Sequence, residues 1–451
     1  MLTFIIMAIS LKGVYCRRTR KLIFCGRMEV NMAFYKRKEI SGGIGYTTII
    51  DKKFKTNKVE IRFITELDPE TAAENAMAVG IIGSSSSRYK NISELTAKLN
   101  SLYGANINIS ISKRADNQIL SIGTSAINNK YAFDGEDING EVLDILLDCI
   151  FSPNAVNEEF AQEPFQFRRK DLLDTIDAEI NNKRGYAVMQ AQKSIYKGES
   201  SANSSYGTKE EAEAATPASA YSAYKRLLKE AQIEIYYVGQ YEDIAAEEKI
   251  IKAFSVIERD PVICRFKNIS PLKAEVCRCG ERLDVNQCKM VMAFKSDFED
   301  AYALKLVSTL FGETPISKLF ANVREKLSLC YYCASGYNEF KGTMIVDCGI
   351  EESNIEKTEN EIMNQLKAMQ EGDFTDEELE NGLLSLENAL RGVGDTTNSL
   401  VNWYFSHFIK NDIVDPQTEI KRYRSVTRQQ IAEAAKSFEL DTVYVMRGEE
   451  Q

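Results

Sequence analysis

Two stretches of the chain change hydrophobic period in the same way, from helix to strand. In the first, Ile92, Leu95, Leu99 and Leu102 recur at helical spacing behind an Asn91-x-x-Glu94 capping box, and Gly104 ends the run. Ile107, Ile109 and Ile111 then alternate with polar residues, the pattern of a half-buried strand. The second stretch, Thr314–Ser335, lies roughly 225 residues further on. Thr314 suits an N-cap, and Pro315 suits the first helical position, where its missing N–H costs nothing. Leu319, Phe320, Val323 and Leu327 make one apolar helical face, and after Ser328 a Leu-Cys-Tyr-Tyr-Cys run suits a strand. A repeat at this distance implies two duplicated domains, since solenoid periods are roughly 20–50 residues.

The remaining pattern fits that plan. Val59–Ile64 reads as a strand leading into an alanine-rich helix, Thr71–Ile82. Glu141–Ile150 and Asp171–Lys197 read as helices, and Ile233–Gln240 as the strand closing the first domain. Pro261, Pro271 and Gly280 mark a linker. Strands at Gln287–Phe294 and Gly342–Gly349, helices at Asn354–Gln370 and Thr375–Arg391, and a last strand at Asp441–Met446 follow. The expected fold class is α+β, with helices on one face of a mainly antiparallel sheet in each domain. The expected divisions are an N-terminal extension (1–40), a first domain (41–258), a linker (259–282) and a second domain (283–451).

Composition narrows the function. With 451 residues the chain can bury two or three cores. A net charge of −10 argues against non-specific nucleic-acid binding. No run approaches the roughly 18 apolar residues of a membrane span, so no stable insertion is expected and a cytoplasmic location is. At the N-terminus a short apolar run precedes the basic cluster Arg17–Lys21, the reverse of a secretory signal. That segment reads as a poorly ordered extension, or the protein starts at Met28 or Met32. Ten cysteines make no disulfide framework in a chain this long. Cys330-x-x-Cys333 has redox or zinc spacing, but residues three apart on a strand point to opposite faces, so buried thiols are expected.

The wording S-K-L-F-x-x-V-R-E-K-x-x-L-x-Y within Ser317–Tyr331 resembles the C-terminal half of the M16 metallopeptidases, the insulinase, pitrilysin and mitochondrial processing peptidase group. The resemblance covers roughly residues 42–448 and implies two homologous LuxS/MPP-like domains. Such peptidases carry an inverted H-x-x-E-H on an early helix, in which two histidines bind zinc, the glutamate activates water and a later glutamate completes the ligands. Counted back from the Glu94–Gly104 helix end, that motif falls here on Met77-Ala-Val-Gly-Ile81. Met77 and Ile81 stand for the histidines, Gly80 for the general base and Asp174 for the third ligand. A thioether is a poor zinc ligand, and glycine and isoleucine cannot ligate or move protons. Met77 and Ile81 therefore read as core packing and Asp174 as a surface acid. No metal and no other cofactor is expected.

The resemblance assigns Arg324 and Tyr331 to substrate binding, where a guanidinium and a phenol hold a peptide backbone and stabilise a developing oxyanion. The residues alone permit a plainer reading, an exposed charged turn and a tyrosine packed in a sheet. His407 is the only histidine and reads as hydrogen-bonded and half-buried among aromatics. Ser84–Ser87 reads as a polar loop without the glycine spacing and following lysine of a phosphate cradle. Two functions remain open. One is a non-catalytic subunit that pairs with a zinc-bearing M16 paralogue and lends Arg324 and Tyr331 to a shared proteolytic chamber. The other is a homodimer that encloses peptides by strand addition without cutting them.

Overall fold

The computed structural model of the chain describes residues 24–26 and 34–449. The alternative starts at Met28 and Met32 lie outside the described residues. Part of the expected extension is regular structure: β1 (Phe24–Gly26) and β2 (Phe34–Ser41) begin the first sheet. The reason lies in long-range partners of two β2 side chains. Tyr35 stacks on Tyr404 with ring centroids 4.4 Å apart, and Arg37 clasps the buried Glu234 through Nε and Nη2 at 3.0 and 2.7 Å. A charge as deeply buried as Glu234 needs such a partner.

β3 (Ile44–Ile50), β4 (Thr56–Glu66), β5 (Asn106–Arg114) and β6 (Asn117–Ile127) follow, with a two-residue hairpin of β7 (Ala155–Val156) and β8 (Glu159–Phe160), then β9 (Gln232–Gly239). The seven-stranded sheet runs β1-β2-β3-β9-β4-β6-β5, and only the β3–β9 pair is parallel. β9, expected as a closing strand, sits in the middle of the sheet, and all eight of its residues are buried. The second sheet comprises β10 (Cys277–Leu283), β11 (Cys288–Lys295), β12 (Cys330–Asn338), β13 (Thr343–Ile350) and β14 (Glu439–Gly448), in the order β10-β14-β11-β13-β12. Here only β10–β14 is parallel. β10 falls inside the segment read as linker, so the irregular connection ends before Cys277.

Helices cover one face of each sheet, as the α+β reading expects, but the other faces are covered too. Leu400, Val401, Tyr404 and Phe405 of the second half's helix Thr397–Ile409 pack on Ile49, Ile64, Tyr236 and Val238 of the first sheet. Reciprocally, Ala187, Ala191 and Ile195 of the first half's helix Lys183–Ile195 pack on Val291, Ala293, Tyr444 and Met446 of the second. This exchange explains why the expected helix Asp171–Lys197 is two helices, Gln162–Ala178 and Lys183–Ile195. Between them Asn182 caps the second by accepting from Gly185 N at 3.1 Å, and the chain crosses to the other half.

Charges pin the junction. Lys341 of the second half is fully buried and reaches Asp116 at 2.9 Å and Glu199 at 2.5 Å, both of the first half. Asp116 also accepts from Ser201 Oγ at 2.7 Å and Asn268 Nδ2 at 2.7 Å. Arg184 forms a fork with Asp347 at 2.5 and 2.9 Å across the same boundary.

Candidate functional site

The helix expected to carry the metal motif spans Ala72–Ile82, and every residue in it except Glu74 is buried. A helix apolar on all sides belongs inside a core, and this one packs against the helices Gln162–Ala178 and Pro217–Glu230. Met77 and Ile81 are 1% and 0% exposed and share a core cluster with Phe165, Ala223 and Leu227. Their side chains fill space and face no cleft.

Gly80 matters for what it admits. With no side chain there, the Arg168 stem lies over the helix, and a Cβ on Gly80 would meet Arg168 Cδ at 3.4 Å. Arg168 Nε donates to the Gly80 carbonyl at 3.0 Å and to Ser84 Oγ at 3.2 Å, and its Nη1 donates to Asp171 at 3.1 Å. Ser84 Oγ itself donates back to the Gly80 carbonyl at 3.0 Å. Ser84–Ser86 are accordingly buried, and only Ser87 of the expected polar loop is exposed. Asp174, the position matched to the third ligand, is exposed on the same helix. The residue of that helix that reaches Gly80 is Arg168. The zinc of the resembling peptidases does not fit these residues: a thioether, a bare backbone, an alkyl chain and a fixed guanidinium offer no ligand set and place a cation beside it. Among the described residues no group of three or more His, Cys, Asp or Glu is placed to hold a metal. Sequence reading missed Arg168, because nothing in Phe167-Arg-Arg-Lys170 says which basic side chain turns inward.

The second half of the site lies at the start of β12. The expected helix from Pro315 is tighter at its start and wider at its end. Turns occupy the first residues, and regular structure runs over Leu319–Lys326 with π-type winding. Leu327 N bonds to Asn322 O at 3.1 Å, five residues back. Ser328 then adopts a left-handed φ of 51° and turns the chain into β12. π-type turns of this kind are rare and concentrate at functional sites.

A β-bulge follows. Cys330 pairs with Ile350 and Tyr332 with Gly349, leaving Tyr331 unpaired. The bulge throws Tyr331 outward, 61% exposed, where its hydroxyl donates to Glu351 at 2.7 Å and that bond pushes the phenol's pKa up. It also overturns the expectation that Cys330 and Cys333 face opposite ways. With one residue slipped from the ladder, both thiols are buried on the core side, and Cys333 sits across from Cys348. Their mutual contact lowers the pKa of Cys330, with Arg324 helping, and raises that of Cys333. Arg324 is 40% exposed, lies over the Phe320 ring at 4.6 Å and approaches Glu325 at 3.6 Å. Arg324 and Tyr331 thus share one end of the second sheet, though no hydrogen bond or ring contact joins them or ties them to helix Ala72–Ile82 among the described residues. Both are partly exposed, Tyr331 with its hydroxyl on Glu351 and Arg324 beside Phe320 and Glu325. His407 is fully buried, deeper than its aromatic surroundings imply, and belongs to a different region.

Residues 214–386 match the family described as the peptidase M16 inactive domain. Over 413 residues the chain is 24% identical to a probable inactive metalloprotease, YmfF, of Bacillus subtilis (strain 168), covering 91% of this chain and 97% of that protein. A conserved protein from Enterococcus faecalis V583 of known structure superposes with a TM-score of 0.85 at 27% identity, over 92% of this chain and 99% of that one. A peptidase M16 inactive domain from Pseudomonas fluorescens shares the fold at a TM-score of 0.74 and 14% identity, over 92% and 98% of the two chains. By these matches residues 214–386 are similar to the peptidase M16 inactive domain, and the two-sheet architecture of the whole chain is the fold that the solved M16-like structure shares.

Proposed function

We propose that this protein is a non-catalytic subunit that completes the peptide chamber of a zinc-bearing M16 paralogue, with Arg324 and Tyr331 as its contribution. One contrast carries the reading. The metal position is packed shut by Met77, Ile81 and Arg168, while Arg324 and Tyr331 stand exposed at a bulge and a wide helical turn. A phenol and a guanidinium held this way suit a peptide carbonyl, whose developing negative charge both can meet. The partner would supply the metal and the water. Among the described residues no helix is long and apolar enough to cross a membrane; the setting proposed for such a pair is the cytoplasm. Within the family the resemblance extends to bacterial members associated with 5-aminopentanol modification of elongation factor P; this supplies a context and no reaction.

The test is reconstitution. The chain alone should cleave no peptide and hold no stoichiometric zinc. Peptidase activity of the purified pair should fall by about 10²–10³-fold in kcat/KM when Arg324→Ala or Tyr331→Phe is introduced, as for loss of one oxyanion donor. Unchanged kcat/KM with both substitutions in place would leave this chain as a scaffold only.

A second reading is a homodimer that holds extended peptides without cutting them. It rests on β5 and β12, each a terminal strand of its sheet and so paired on one side only, where strand addition would take place. Native mass spectrometry of the protein from its own cells separates the two: a homodimer without a zinc-bearing paralogue favours the second.

A further inference from the structure

β12 carries the pair Cys330-x-x-Cys333 around the bulged Tyr331. On a regular strand, positions three apart face opposite sides and their thiols do not meet. Here the places across from them on β13 are Ile350 and Cys348, two residues apart, so the bulge puts both thiols on one face. They are in contact there, and Cys333 touches Cys348 as well. The three differ in what else holds them. Cys348 is 1% exposed and donates to the Met290 carbonyl at 3.7 Å. Cys333 is 5% exposed and has the other two thiols for neighbours. Cys330, at 8%, is the outermost, and the Arg324 guanidinium acts on it.

Two ladder positions span about 6.6–6.8 Å along a strand. That is the upper end of the roughly 4.4–6.8 Å between Cα atoms that a disulfide bridges. A bond drawn across such a span is strained, and strained disulfides are the readily reduced, regulatory ones. The pair suits a switch better than a permanent staple. Disulfides that form in the cytoplasm, the setting proposed above, are ordinarily transient as well.

We infer that Cys330 and Cys333 form a reversible disulfide that clamps the β12 bulge and so holds Tyr331 outward. A strand relaxed out of the bulge would carry Cys330 on the face opposite Cys333, which the bond forbids. The oxidant is a small disulfide of the glutathione class. The Cys330 thiolate, outermost and beside a cation, attacks one of its sulfurs, breaking that S–S bond and releasing one small thiolate. The Cys333 thiol gives its proton to that thiolate and attacks Cys330 Sγ. This forms the Cys330–Cys333 bond and expels the second small thiolate, which takes the proton that Cys330 lost. The protein gives up two electrons and two protons, and the small disulfide becomes two thiols.

As control of a peptide chamber the switch rests on the reading of Tyr331 given above, so the test follows the bond itself and not peptide cleavage. Lys326 and Lys341 flank both cysteines, so trypsin releases them in peptide 327–341, while Cys348 falls in peptide 342–357. The reduced full chain is incubated with glutathione disulfide, alkylated and digested without reductant. Peptide 327–341 should lose both alkylation sites and weigh two hydrogens less than its reduced form, and dithiothreitol should restore both sites. Amide exchange across the same peptide should slow about tenfold on oxidation, because opening the bulge then works against the clamp. Cys333→Ala should stop at the first step and keep one glutathione on Cys330. Cys348→Ala should form the bond as the parent does. The idea fails if both sites of peptide 327–341 stay open to alkylation at saturating glutathione disulfide. It fails equally if the bond joins the two peptides through Cys348, or if exchange is the same in both forms. A Cys333→Ala chain, folded by circular dichroism, that takes up no glutathione at Cys330 would also overturn it.

Discussion

Lys341→Met is expected to destabilise the protein by about 2–3 kcal/mol, below the roughly 3–5 kcal/mol of a fully buried pair because the two carboxylates left without their cation are only half-buried. Lys341 is fully buried and, among the described residues, is the one side chain in ion-pair contact with both Asp116 and Glu199 across the junction. Urea denaturation should show the loss as a lower midpoint. It should also separate unfolding of the two halves, because the same lysine links the β12–β13 turn to the first sheet. Adding Asp116→Asn and Glu199→Gln should restore much of the stability, since neutral amides leave no uncompensated charge.

Acid gives an independent readout. Burial pushes the Asp116 carboxyl up, but bonds from Ser201, Lys341 and Asn268 outweigh it and hold the group below its ordinary value. The folded state therefore binds this proton less readily than the unfolded chain does. The associated stability is fully present above the unfolded value, about 3.9, and is lost as pH falls through the lower folded value. In Lys341→Met one of those bonds is gone, so the acid-unfolding midpoint should move to higher pH. A midpoint and an acid limb equal to the parent's would show that the lysine is not what ties the halves together.

What could be read in advance, and what could not, divides along a physical line. Local periodicity found the repeated helix-to-strand units because those signals live within a dozen residues. Asn91 does accept from Glu94 N at 3.0 Å, and Ile107, Ile109 and Ile111 do alternate with exposed neighbours. The unbroken apolar run of β9 was visible too, but not its central place, since a buried strand reads alike wherever it sits in a sheet. Helices Lys183–Ile195 and Thr397–Ile409 carry ordinary amphipathic patterns, and nothing in either names the opposite half's sheet as its partner. The largest miss at the site was one residue of register. A bulge at Tyr331 reverses which side chains face the core, and register is a property of the β12–β13 pair. Arg168 was hidden for a related reason: its inward contacts are to the Gly80 carbonyl and Ser84, which lie on another stretch of the chain.

That dependence yields the most demanding prediction. Restoring the metal motif by Met77→His, Gly80→Glu and Ile81→His should not restore zinc binding while Arg168 stays. The stem introduced by Gly80→Glu would run beside the Arg168 side chain, which lies 3.4 Å from where the new Cβ begins. Arg168 has only the exposed Asp171 as its present carboxylate partner, so its guanidinium would pair with the incoming carboxylate and take the general base out of use. A dication held about 4 Å from that guanidinium would be opposed by several kcal/mol even at an effective dielectric near 20, which is roughly a thousandfold or more in affinity. Changing Arg168→Glu in the same background removes the cation and adds an oxygen ligand on the helix that already touches Gly80. The fourfold variant should therefore take up about one zinc per chain by competition with a chelator, and the threefold variant none. Equal zinc affinity in the two, with both folded by circular dichroism, would mean that Arg168 is a bystander and that the missing histidines alone closed the site. The proposed ordering makes Arg168, alongside the missing histidines, an obstacle to a metal at this position.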